Sequence, residues 1–211
     1  MKTLARIIAG VGLLMGVIGL LLQFSLTIPA SMAAGRNVWL SILFYFSFFT
    51  ILSNIAAVIS HAGQLLPAKN LVYFHRRSTA GAITTLMMVV GIVYHFILAP
   101  LWSPKGLFLA CDVILHYVTP VLMAAWWLVS ANGKARFKTL LWWLVPPAVY
   151  VVFVYIRWIF VHEVPYPFLD PALTRQALIR GIVGIVTLFV MVGPAVVISD
   201  KIVGWLKRQY V

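Results

Sequence analysis

VWLSILFYFSFFTILSNIAAVISHA, residues 38–62, contains no Asp, Glu, Lys or Arg. About 20 apolar residues in a helix cover the hydrocarbon core of a bilayer, so this stretch alone is long enough to cross one. Similar apolar runs fall at 4–27, 79–99, 107–131, 139–160 and 176–199. The whole chain of 211 residues is 63% hydrophobic and 9% charged, whereas a soluble domain is about half apolar and a quarter charged. That balance excludes a soluble fold. The reading is an all-α integral membrane protein, a single domain (1–211) built as a six-transmembrane-helix bundle.

The connections carry helix-breaking punctuation: Pro29 and Gly35, then Pro67, then Pro100, Pro104 and Gly106, then Asn132 and Gly133. Pro165, Pro167 and Pro171 make the fifth connection too broken to be helical. Lys2, Arg6 and the small residues around Ala30–Ala34 give the first run a look of a secretory signal. Its apolar part exceeds the about 7 to 15 residues of such signals, so it is expected to stay as a spanning helix.

A net charge of +12 comes from 16 Lys and Arg against four acids, Asp112, Glu163, Asp170 and Asp200. Scattered in short groups between apolar runs, the basic residues read as topology signals and anionic-lipid contacts, and not as a nucleic-acid surface. Eleven of them flank one side of the six runs and five the other. The positive-inside rule then puts both termini in the cytoplasm and the chain in the cytoplasmic (inner) membrane. The single cysteine, Cys111, excludes a disulfide within the chain and a thiolate zinc site.

Polar side chains at bilayer depth are costly and point to function. On the second run Ser47, Thr50 and Asn54 follow helical spacing and should share a face. On the fourth run Asp112, His116 and Thr119 do the same. Counted from the outer end, His116 lies roughly 13 Å deep and Thr50 roughly 18 Å deep in straight helices, so the two are close to level. A threonine hydroxyl becomes a nucleophile when a base within hydrogen-bond reach takes its proton. His116 is the candidate base, Asp112 the candidate orienting acid, Asn54 a candidate oxyanion donor and Ser47 a supporting hydroxyl. Near the outer surface, Tyr94, His95 and Arg157 are candidate substrate contacts, with Arg157 expected to pair with Asp112 or to clamp a substrate carboxylate. Tyr166 and Phe168 are expected in a lid over the outer mouth.

Phe48-Phe49-Thr50 in the second run, His116 in the fourth, and Tyr166-Pro167-Phe168-Leu169-Asp170 before the sixth resemble the androgen-induced membrane protein family and its bacterial six-helix relatives, the Pr-six-Pr group. The resemblance extends along the chain in helix count, order and motif placement. It implies an intramembrane threonine hydrolase that cleaves fatty acid esters of hydroxy fatty acids, with Thr50 as nucleophile and His116 as its partner. The animal pattern has an amide where Asp112 stands and a differently spaced proline after the histidine, so Asp112 and Pro120 are not carried over. The expected partner is a lipid substrate arriving from the bilayer, with no metal and no cofactor. The alternative is a lipid or small-molecule binding or transport protein whose polar cavity does no chemistry. A b-type haem held by two of His61, His95, His116 and His162 would need ligands facing each other at one depth, a condition only His95 and His116 roughly meet.

Overall fold

The computed structural model describes residues 2–66 and 68–209, and among these there are helices and no strands. Pro67 lies outside the described residues. The elements are α1 (Lys2–Ala33), α2 (Val38–Phe46), α3 (Phe49–Leu65), α4 (Arg77–Val93), α5 (Leu107–Val113), α6 (Thr119–Val129), α7 (Leu140–Trp143), α8 (Val145–Val161) and α9 (Arg175–Gln209). A π turn over Tyr94–Leu98 extends α4, and a second over Ile114–Val118 joins α5 to α6.

Five helical segments are long and apolar enough to cross a membrane: Lys2–Ala33, Arg77–Leu101, Leu107–Val129, Phe137–Val161 and Arg175–Gln209. A sixth passes the same test only as the pair α2 and α3, which meet at a bend of 71°. The bundle is apolar outside and carries its polar groups inside. Leu21, Trp39, Val121, Phe160 and Met191 are exposed, while Thr50, Asn54, Asp112, Thr119 and Asp200 are buried.

The bend corrects the expectation of one straight helix over 38–62. At Ser47 both the backbone N–H and the hydroxyl turn back onto the Phe44 carbonyl, at 3.1 and 2.6 Å. Phe48 then takes an extended conformation, with ψ 126°. The Ser47 carbonyl, released from the helical ladder, accepts a hydrogen bond from the Tyr150 hydroxyl at 2.9 Å. Irregular backbone within an apolar segment persists where protein groups satisfy it, and here α8 supplies the group. Ser47 is therefore the hinge and does not share a helical face with Thr50 and Asn54.

Close packing at the other contacts depends on missing side chains. α1 lays Gly12 and Gly19 against α3 and the π turn that follows α5. A Cβ on Gly12 would lie 2.5 Å from His61 Nε2, and one on Gly19 2.6 Å from Ile114 Cγ2. Small residues of this kind let helix backbones approach where no hydrophobic drive separates protein from lipid.

Near the C-terminal end of α9, Asp200 is fully buried and ties three segments together. Its Oδ1 accepts from Arg77 Nε at 3.0 Å, from Arg77 Nη2 at 2.5 Å and from the Asn132 amide at 3.0 Å. Oδ2 accepts from the Ala135 amide at 2.8 Å. The Arg77 guanidinium also lies 3.5 Å from the centre of the Trp127 ring.

Candidate active site

Because α3 begins afresh after the bend, its first amides have no helical partners. Ile51 is the first residue of α3 whose N–H bonds back along the chain, to the Phe48 carbonyl at 3.0 Å. Thr50 sits one position earlier, inside the first turn, so its N–H faces away from the helix. That N–H donates to the Tyr166 hydroxyl at 3.2 Å. The Thr50 hydroxyl lies 3.3 Å from the same Tyr166 oxygen and 3.3 Å from His116 Nε2.

His116 is carried by the π turn between α5 and α6. Pro120 has no N–H to give the His116 carbonyl, and the Thr119 amide bonds five residues back to the Ile114 carbonyl. Such turns occur frequently at functional sites. His116 Nδ1 faces the Asp112 carbonyl oxygen at 3.1 Å and Asp112 Oδ1 at 3.3 Å. A backbone carbonyl can only accept, so Nδ1 carries a proton, and in the neutral imidazole Nε2 then presents a lone pair to Thr50. Tyr94 stacks on the imidazole, ring centres 3.8 Å apart, and donates its hydroxyl proton to Asp112 Oδ2. The resulting chain of contacts runs from Tyr94 through Asp112, His116 and Thr50 to Tyr166.

Two cavities meet at Thr50 and Tyr166, which line both. The larger, about 570 Å³, has Asp112, His116, Tyr94, Gln23, Thr27 and Arg36 among its walls. The smaller, about 300 Å³, lies between α4, α8 and α9 and is walled almost wholly by carbon. Tyr166 is buried and stacks on Phe168, ring centres 5.4 Å apart. It is thus a wall of the site itself, deeper than the lid expected from its position, while Phe168 lines only the smaller cavity.

The segment that carries Tyr166 is anchored at two points. Glu163 accepts from Arg36 Nη2 at 2.7 Å and from Arg157 Nη2 at 2.9 Å, and its carbonyl accepts from Arg157 Nη1 at 2.7 Å. Burial pushes the Glu163 carboxyl up, but the hydrogen bonds and charges of Arg157 and Arg36 outweigh it and hold the group below the ordinary glutamate value. This depressed pKa means the clasp contributes fully at neutral pH and loses its hold only as pH falls through that lowered value. The second anchor is Gly181 of α9, where an added Cβ would lie 2.5 Å from the Phe168 carbonyl oxygen. Backbone cannot yield as a side chain tip can. Gly181→Ala is therefore expected to displace the 166–169 turn and lower any Thr50-dependent activity by about tenfold or more, since small misplacements are costly. Its Tm should move by only a few degrees, which thermal unfolding in detergent would check.

Three further expectations are corrected. Both Asn54 amide protons are taken, by the Thr50 carbonyl at 2.9 Å and the Leu115 carbonyl at 3.1 Å, and its oxygen accepts from Thr119 at 2.5 Å. Asn54 thus ties α3 to the His116 turn and has no proton left for an oxyanion. Arg157 pairs with Glu163 and not with Asp112. His95 is exposed and contacts Tyr117 at 3.3 Å, away from the cavities. Arg36, Tyr150 and Glu163 hold the site together but escape a reading by helical spacing, because each acts on residues distant in sequence. No family model, curated protein or solved structure matches this chain, so the reading of the site rests on this geometry.

Proposed function

We propose that the chain is an intramembrane lipid ester hydrolase with a threonine nucleophile. In this reading it is a six-span protein of the cytoplasmic membrane with both termini inside. The observation that carries it is the Thr50 hydroxyl held 3.3 Å from His116 Nε2, at the open start of a helix.

The steps balance. His116 Nε2 takes the Thr50 proton as Oγ1 attacks the ester carbonyl carbon, giving a tetrahedral oxyanion. Collapse of that oxyanion breaks the bond to the alcohol oxygen, which leaves with the proton from His116 and yields an acyl-threonine. Water then repeats the sequence, with His116 taking its proton and returning it to Thr50, and the carboxylic acid departs. Asp112 steadies the imidazolium through Nδ1, and Tyr94 holds Asp112 in place.

The Tyr166 hydroxyl accepts from the Thr50 amide and points its own proton at Thr50 Oγ1, 3.3 Å away, from where it can turn to the oxyanion. Tyr166→Phe is expected to lower kcat by about a hundredfold with little change in KM. Equal loss in binding and turnover would make Tyr166 a packing residue instead. The hydroxy-acid half of a fatty acid ester of a hydroxy fatty acid suits the larger cavity, where its free carboxylate would approach Arg36.

Intact mass spectrometry after exposure to 4-nitrophenyl decanoate tests the proposal. Support is a mass increase equal to one decanoyl group less one hydrogen, mapped to the peptide containing Thr50. Absence of any adduct at every pH and time favours the other reading, a lipid-binding protein whose two cavities do no chemistry.

A further inference from the structure

Both cavities touch Thr50, yet they offer opposite surroundings. The larger one has a cation, a carboxylate, an imidazole, an amide and hydroxyls in its walls. In the smaller, Val90 and Val93 of α4, Ala148 and Val151 of α8, and Ile182 and Ile185 of α9 are typical of the lining. Its hydroxyls are those of Thr50 and Tyr166 at the shared edge and that of Tyr150, which is committed to the Ser47 carbonyl. Nothing there could satisfy a carboxylate or a second polar group, and an unpaired buried polar group costs several kcal/mol.

From this juxtaposition we propose that the smaller cavity is the acyl-chain site, receiving the hydrocarbon tail of the acid half while the alcohol half occupies the larger one. The inference rests on the Thr50 hydrolase reading for its orientation. An ester carbonyl at Thr50 has two arms, and only one of them is pure hydrocarbon. Burying that arm stabilises the complex by about 0.8 kcal/mol per methylene. A methylene fills about the volume of a water, roughly 30 Å³, so a cavity of 300 Å³ takes a chain of about ten carbons. Tyr166 lies across the junction, and its ring forms the doorway between the two arms.

The test uses Thr50→Ala protein in phosphatidylcholine vesicles, so that the ester is bound and not cleaved. The probe is the 4-nitrophenyl ester of decanoic acid with a diazirine near its terminal carbon. After irradiation, labelled peptides are mapped with and without excess unlabelled ester. The expected result is label on residues 182–189 of α9, removed by competition and reduced at least about tenfold in Ile185→Trp, which fills the cavity with the equivalent of a few methylenes. Competed label on residues 23–31 of α1, or label that excess ester does not remove, overturns the assignment.

Hydrolysis by the wild type is measured beside it. Competed label on α9 without any hydrolysis keeps the chain site and removes the hydrolase reading. Hydrolysis with competed label on α1 keeps the hydrolase and removes the chain site. In the wild-type background, Ile185→Trp should cut decanoate turnover about tenfold or more relative to acetate. Equal losses for both esters would show that the variant harms the fold and not the chain site.

Discussion

On the hydrolase reading, Thr50→Ala is expected to eliminate the acyl adduct and to lower ester hydrolysis by at least about a thousandfold, as loss of a nucleophile does in hydrolases that work through a covalent intermediate. Thr50→Ser is expected to restore a substantial part. The pair of variants separates chemistry from packing. Alanine keeps the Thr50 backbone N–H and its bond to Tyr166 and removes only the hydroxyl and a methyl group, so the first turn of α3 should persist. Serine returns the hydroxyl to the same reach of His116 Nε2. His116→Ala should match Thr50→Ala within about tenfold, because members of such a unit fail together and their losses do not add. Steady-state hydrolysis of 4-nitrophenyl decanoate, corrected for spontaneous cleavage, is the measurement. Thr50→Ala at or near wild-type rate would remove the threonine from the mechanism.

Asp200→Asn is expected to cost about 3–5 kcal/mol of stability, the usual result of deleting one partner of a buried ion pair. The asparagine would turn its amide protons either toward Arg77 or toward the Ala135 N–H, where donors already crowd the space. Arg77, only 11% exposed, would be left beside Trp127 without a counter-charge. Replacing both members, Arg77→Met with Asp200→Leu, should recover most of the loss, since it removes the stranded charge along with the bond. Tm in detergent micelles reports both effects. The site lies toward the opposite end of the bundle, so adduct formation by the folded fraction of Asp200→Asn at low temperature should equal that of the wild type. A shift of less than about 1 kcal/mol would mean the node is as weak as an exposed pair.

The helices long and apolar enough to span a bilayer were legible because length and hydropathy suffice to mark them, and the ends of 107–131 and 139–160 moved by only a few residues. The approach of Thr50 to His116 was legible from depth in two runs that cross in the same direction, although the depths assumed straight helices. What could not be read from the sequence has a common physical origin. The bend at Ser47 relies on Tyr150, 103 residues away. The clasp on Glu163 relies on Arg36, 127 residues away. Asn54 read as a free amide because Leu115 and Thr119, its partners across the helix interface, belong to another run. Local spacing describes one helix at a time, whereas these groups are defined by the neighbour that saturates them. Pro120 was the one local sign of irregularity at His116, and as an isolated proline it did not show which carbonyl would be freed.

The hydroxyl of Tyr166 meets Thr50 across 116 residues of chain. During translation, at about 5–20 residues per second, the proposed nucleophile would enter the bilayer on the order of ten seconds before its final partner. His116 emerges between them, so the pair could form while α8, α9 and the Glu163 clasp are still unmade. The nascent protein would then lie among intact phospholipid esters with a threonine and a base but without Tyr166 or the α8 and α9 walls that close the smaller cavity. On the hydrolase reading, leaving the oxyanion donor to a late segment would give the ribosome's own direction of travel the role of a safety catch, arming the site only after the last of the walls that choose its substrate had been synthesised.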